Sequence, residues 1–246
     1  MDLPIIIIPM NSLYHIPLLN LALALIPVIL VGALHASWRI PILTIASATA
    51  RMVIQLALIG FALVAIFEWR QPAVVGLLLS LMLVIAAWIA LRPIKAKRRE
   101  LYPKALFSLA VGSLPVLFLI AGGVLSLRPW YEPRYLIPIA GMIFANAMNS
   151  LSLAAERFLS EIKKGASYPE ARNTALITSL VPITNSLLAV GLVSLPGMMT
   201  GQILSGVDPL LAIRYQIMVM CMLYGASGIS AGIYLWMMRK STLAAS

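Results

Sequence analysis

Charge is what this sequence has least of. Only 11% of its 246 residues are Asp, Glu, Lys or Arg, while 61% are hydrophobic. Soluble domains carry about 25% charged residues. A soluble fold of this composition would leave far too much apolar surface in water, which points to a polytopic membrane protein. The length suits one membrane domain over residues 1–246 and leaves no room for a separate soluble one. Cysteine is nearly absent, and Cys221 alone excludes an intrachain disulfide. A basic n-region is missing from Met1 to Asn11, so no cleavable signal peptide is expected and the first span serves as its own insertion signal.

Chemistry-bearing motifs are missing too. There is no G-x-x-x-x-G-K-[ST] loop, so this chain has no Walker A site for ATP, and there is no H-E-x-x-H, paired-cysteine metal motif or G-x-S-x-G. The acids are Asp2, Glu68, Glu100, Glu132, Glu156, Glu161, Glu170 and Asp208, and none falls in the middle of an apolar run. Ion-coupled carriers keep a titratable group at membrane depth. Its absence argues against a proton-driven carrier and for energy supplied by a partner. His15 and His35 flank the first apolar run and read as interfacial residues rather than ligands.

What remains is seven apolar segments near the roughly 20 residues that cross a bilayer core: 16–35, 47–67, 72–91, 105–127, 135–154, 181–205 and 212–236. Trp38, Trp69, Trp130 and Trp236 fall near their ends, where aromatic belts lie. The expected fold is all-α, a polytopic transmembrane helical bundle of about seven spans. The net charge is +10. In a soluble protein that would suggest nucleic acid; here it follows from loop charge. With the N-terminus outside, 14 of the 18 basic residues fall on the inner side, an asymmetry that supports N-out, C-in.

The long inner connection, about 156–180, carries helix punctuation. Gly165 ends one helical segment, Ser167-x-x-Glu170 is a capping box, and Pro169 sits in the first turn of the next. Two short helices joined by a tight turn are expected there, serving either as a partner-docking element or as a solvated, topology-setting loop. Asp208-Pro209 starts the last span in the same manner.

Residues 191–215 differ from an ordinary span. Ser194, Pro196, Gly197, Thr200, Gly201, Gln202, Ser205 and Gly206 put small and polar groups at membrane depth, which suits close helix contact or a cavity lining. A re-entrant loop around 195–200 stays open as an alternative to a straight sixth span. Gly197-x-x-x-Gly201 and Gly228-x-x-x-Gly232 suit close helix packing. Asn146 and Asn149 share a helix face, for interhelical hydrogen bonding or for lining a path. Arg51 and Gln55 lie one turn apart, facing an inner vestibule or with the arginine snorkelling to headgroups. Met198, Met199, Met218, Met220 and Met222 are either adaptable packing or a route for a soft metal ion.

Several strings in order resemble the FetB-type permeases of ABC transporters, iron exporters to which the plant aluminium-tolerance permeases are related. They are Arg51-Met-Val-Ile-Gln-Leu56, Ile137-Pro-Ile-Ala-Gly-Met142 with Asn146-Ala-Met-Asn149, Gly165-Ala-Ser with Pro169, and Gly191-Leu-Val-Ser-Leu-Pro-Gly-Met-Met-Thr-Gly201. Gly206-Val-Asp-Pro209 running into Ala212-Ile-Arg-Tyr-Gln-Ile217 completes the set. The resemblance implies a homodimeric permease of the bacterial inner membrane that moves a small ion such as iron. A separate ABC ATPase would bind ATP and Mg, with no cofactor in this chain and no nucleic-acid partner. It places ATPase coupling at Glu161, Gly165, Ala166, Ser167, Pro169, Glu170 and Arg172. Translocation and gating fall to Arg51, Gln55, Asn146, Asn149, Ser194, Pro196, Gly197, Met198, Met199 and Gly201. The rival readings are the same permease with a lipid or sugar-conjugate cargo, an ATPase-independent carrier, and a non-transporting scaffold.

Overall fold

The computed structural model describes residues 16–69 and 71–243; Asp2, His15, Arg70 and the Met1–Asn11 stretch lie outside the described residues. By packing, the chain falls into two units, Met1–Trp69 and Arg70–Ser246. Among the described residues there is no strand, only an isolated bridge between Val190 and Ser194.

The first unit holds α1 (Leu18–Leu23), α2 (Ile26–Ser37) and α3 (Leu43–Trp69). Pro27, in the first turn of α2, is where a missing N–H costs nothing. Arg39 turns the chain between α2 and α3 with a φ of 57°. No side chain of α2 is buried.

The second unit holds α4 (Pro72–Ala90), α5 (Arg98–Phe118), α6 (Pro133–Lys163), α7 (Tyr168–Ala189), α8 (Gly197–Leu204) and α9 (Pro209–Leu243). A 3₁₀ turn at Lys95–Lys97 precedes α5, and a π-helical turn at Leu119–Val124 follows it. α6 is the centre, packed on α4, α5, α7 and α9. Its Leu136, Ile143, Ala147, Leu151 and Phe158 are buried. Much of this core is alanine, including Ala87, Ala105, Ala140, Ala175 and Ala226. Lipid tails are as apolar as leucine, so a membrane core gains little by hiding large side chains. It gains dispersion energy by letting backbones approach, which small residues permit.

Among the described residues, six helices are long and apolar enough to cross a membrane. The departure from the expected spans lies at the sixth. No helix covers 181–205; α7 begins at Tyr168 and stops at Ala189. Gly191 then adopts a φ of 83°, and the N–H groups of Val193 and Ser194 turn back to the Ala189 carbonyl. Pro196 is the N-cap of the short α8. Apolarity alone runs straight through this region, whereas Gly191 and Pro196 break the helix. The expected pair of short helices at 156–180 is corrected likewise: the two arms of that turn are the ends of the long α6 and α7.

Candidate functional site

The break after α7 opens a cavity in the second unit of about 350 Å³. α6 contributes Met142 and Asn146, and α7 contributes Ser186. The reversal and α8 add Ser194, Pro196, Gly197 and Met198, and α9 supplies Gln216 and Met220. The local chemistry explains the shape. α8 ends in a Schellman motif at Gly206, with Val207 N–H donating to Gln202 O at 3.0 Å and Gly206 N–H to Ile203 O at 3.0 Å. Asp208 Oδ1 then accepts from the N–H groups of Leu210 (2.9 Å) and Leu211 (3.2 Å), capping α9. Two helix ends are thus satisfied within a few residues, which a chain reversing at membrane depth requires.

The lining is mixed: Asn146, Ser186, Ser194 and Gln216 supply polar groups, Ile183, Val219 and Leu223 apolar ones, and no lining residue carries a formal charge. Asn146 Nδ2 donates to Met142 O at 3.0 Å, and Ser186 Oγ donates to Pro182 O at 3.0 Å. Gln216 is only 5% exposed, and its Oε1 has no hydrogen-bond partner. Among the described residues no three His, Cys, Asp or Glu side chains cluster to hold a metal ion.

Of the expected path residues, the cavity gathers Asn146, Ser194, Pro196, Gly197 and Met198. Asn149 is exposed and does not line it, and Met199 and Gly201 on α8 do not either. Arg51 and Gln55 are exposed on α3, in the first unit. Close packing at Gly197 and Gly201 is not found: a Cβ added to either meets nothing within 4 Å. Gln216, Ser186 and Met142 were missed by sequence reasoning, whereas Met220 stood among the methionines read as packing or a soft-metal route. Gln216 had a usable signal, since it is the sole amide of α9.

The opposite end of the unit carries the α6–α7 turn. Gly165 takes a φ of 88°. Ala166 N–H donates to Glu161 O (3.1 Å) and Gly165 N–H to Ile162 O (3.0 Å), a second Schellman motif. Glu170 answers from the other side: its carboxylate accepts from Ser167 N–H at 3.0 Å and from Ser167 Oγ at 2.7 Å. Those two bonds hold its pKa below the usual glutamate value, the hydroxyl contributing most. Glu161 pairs with Arg157 at 3.0 Å and Lys164 at 3.4 Å. Arg172 donates to Asn173 Oδ1 and lies 5.8 Å from the Tyr168 ring centre. Pro169, Glu170 and Arg172 are exposed. Tyr168, also missed by sequence reasoning, anchors the turn: its hydroxyl donates to Leu235 O on α9 at 3.0 Å, and its ring meets Phe158 edge-on.

Helices long and apolar enough to cross a membrane define a multi-pass helical membrane protein, one whose second unit carries a half-open cavity with a few polar side chains. The chain belongs to the uncharacterised protein family UPF0014, whose sequence profile matches residues 18–243. It is 38% identical over 190 residues to the UPF0014 membrane protein slr1647 of Synechocystis, covering 70% of this chain and 73% of that protein. It is 35% identical over 197 residues to the protein ALUMINUM SENSITIVE 3 of Arabidopsis thaliana, covering 74% and 71%. It is also 35% identical over 201 residues to the probable iron export permease protein FetB of Escherichia coli, covering 73% and 74%. No solved structure matches the chain.

Proposed function

We propose that this chain is the membrane-spanning permease subunit of an ABC transporter in a bacterial inner membrane. It acts as a homodimer and exports a small metal cation, iron being the first candidate. A separate ATPase subunit binds ATP and Mg and does the hydrolysis. The name of the Escherichia coli relative supports the transport class and the cargo. The absence of a Walker A loop from the sequence agrees with an ATPase on another chain.

The observation that carries the coupling is the Tyr168–Leu235 hydrogen bond. It ties the rigid α6–α7 turn to α9, the helix that brings Gln216 to the cavity. Leu235 and Gln216 are about 28 Å apart along that helix at 1.5 Å per residue. An ATPase pressing on Pro169, Glu170 and Arg172 would shift α9 as a rod and change the cavity at its far end. Alternating access follows without any titratable group at membrane depth.

The lining supports a second reading of the cargo. Amides, hydroxyls and thioethers beside Ile183, Val219 and Leu223, with no ionisable side chain, also suit an uncharged molecule with both polar and apolar parts. Burying a bare multivalent cation without a counter-charge is costly. The test is a mild-detergent pull-down of the tagged chain from its host, assayed for ATP hydrolysis with and without ferrous iron. A co-purifying ATPase stimulated by iron is expected. An ATPase indifferent to iron keeps the permease and turns the cargo toward the uncharged class. Flux in liposomes with this chain alone, and no ATPase, overturns the reading.

A further inference from the structure

We propose that the α4–α5 loop is a docking site for anionic phospholipid headgroups, one that the transport reading neither needs nor supplies. The loop's depth is set by two aromatic residues. Trp88, in the last turn of α4, and Tyr102, in the first turns of α5, meet edge-on with ring centres 5.7 Å apart. The Tyr102 hydroxyl donates to Val84 O at 3.2 Å. Tryptophan and tyrosine with one apolar and one polar end settle at the headgroup level of a bilayer. The chain between them is therefore at that level too.

That stretch is strongly basic. Arg92, Lys95, Lys97 and Arg99 are all exposed, and the one acid beside them is Glu100. None of the four makes an ion pair among the described residues. A fifth cation, Arg98, has a different task. Its Nε donates to Trp88 O at 3.0 Å, its Nη2 donates to the same oxygen, and its guanidinium lies 3.7 Å from the Trp88 ring centre. Arg98 thus staples the start of α5 to the end of α4. The backbone between is tied as well, with Arg92 N–H on Ile89 O (2.9 Å) and Ile94 N–H on Leu91 O (3.0 Å), followed by the Lys95–Lys97 3₁₀ turn.

This is more than a topology signal requires. Orientation during insertion depends on how many Lys and Arg flank a span, and a floppy loop serves as well. Here one arginine is spent on holding the other four cations at a fixed depth. Binding to a preorganised array loses less ordering entropy. A basic side chain near an anionic leaflet strengthens association by about fivefold. Four together give a site that distinguishes phosphatidylglycerol from phosphatidylcholine. An acidic face on a protein partner is the competing occupant. The lipid is favoured because the charges lie between interfacial aromatics rather than on the exposed face of the α6–α7 turn.

The test reconstitutes the full chain in phosphatidylcholine membranes and measures the association of spin-labelled phosphatidylglycerol relative to spin-labelled phosphatidylcholine. The wild type should select phosphatidylglycerol. Selectivity should fall to near parity in an Arg92→Gln, Lys95→Gln, Lys97→Gln, Arg99→Gln variant. It should persist in an Arg128→Gln, Arg214→Gln variant at the other end of the unit. Should the quadruple variant fail to insert, salt decides on the wild type itself. Raising ionic strength from about 50 mM to about 500 mM shrinks the Debye length severalfold and should abolish the preference. No selectivity in the wild type, or none lost in the inserted variant, overturns the proposal. A variant that keeps its lipid selectivity but loses a co-purifying protein also overturns it and assigns the patch to that partner.

Discussion

Gly112 has room for a hydrogen and no more. A Cβ at this position would lie 2.7 Å from both Cα and N of Ser230, where α5 and α9 cross. The glycine patterns visible in the sequence are less tightly held, since a Cβ at Gly228 meets only Leu180 Cδ1 at 4.0 Å. Gly112→Leu should therefore destabilise the protein by about 3 kcal/mol or more, because backbone cannot yield as a side chain can. Gly228→Ala should be nearly neutral. Thermal stability read by fluorescence-detected size exclusion separates the two, and equal melting would refute the crossing as the tight point. Gln216 offers the opposite case. Its Oε1 is buried without a partner, so Gln216→Leu removes an unsatisfied group and should hold or raise stability by about 1 kcal/mol. If the amide meets cargo, the same change should lower cargo-stimulated ATP hydrolysis. A loss of stimulation with unchanged melting supports the cavity as the pathway; unchanged stimulation removes Gln216 from it.

At the scale of the element, the α6–α7 turn is held by interactions a few residues long. Gly165→Val forces a branched side chain to a φ of 88°, at a cost of about 1–2 kcal/mol. The variant should insert normally but couple poorly, with less ATPase stimulation for the same amount of bound ATPase. Glu170 adds a pH dependence. Its carboxyl pKa is depressed by the Ser167 bonds, so its contribution to the turn is complete above the ordinary glutamate value. It is lost as pH falls through the lower, folded-state value. Hydrogen exchange at the start of α7 should rise on acidification below the ordinary glutamate range in the wild type, relative to Glu170→Gln at the same pH. No divergence between the two proteins would show that the cap is idle. The same short-range character made this turn legible beforehand: Gly165, Ser167 and Glu170 announce it, and all three do what their chemistry requires.

At the scale of the whole second unit, α6 and α7 run from the turn to the cavity, and the Tyr168 side chain adds a hydrogen-bonded link from the turn to α9. Tyr168 reaches from the turn to Leu235 O, and α9 runs from there toward the cavity. Tyr168→Phe deletes the hydroxyl and keeps the ring against Phe158. It should cost only about 1 kcal/mol in stability. Its larger effect should be on transmission, with ATPase still bound and cargo stimulation reduced. Undiminished stimulation in Tyr168→Phe would mean that motion reaches the cavity by another helix. The bundle also explains how the chain tolerates a reversal between α7 and α9. The carbonyls freed at Ala189, Gln202 and Ile203 are satisfied locally.

The sequence by itself determined the membrane class, the ends of α4 and the two capped turns. These depend on composition or on hydrogen bonds between residues three to five positions apart, and such bonds form wherever the chain is placed. Tertiary structure alone decided that Asn146 lines a cavity while Asn149 is exposed, and that Gly112 rather than Gly197 is the close contact. The reason is the solvent. In water a helix announces its buried face by contrast with a polar one. In a bilayer both faces are apolar, so periodicity says little about rotation, and only packing against the neighbouring helices settles which side chains meet.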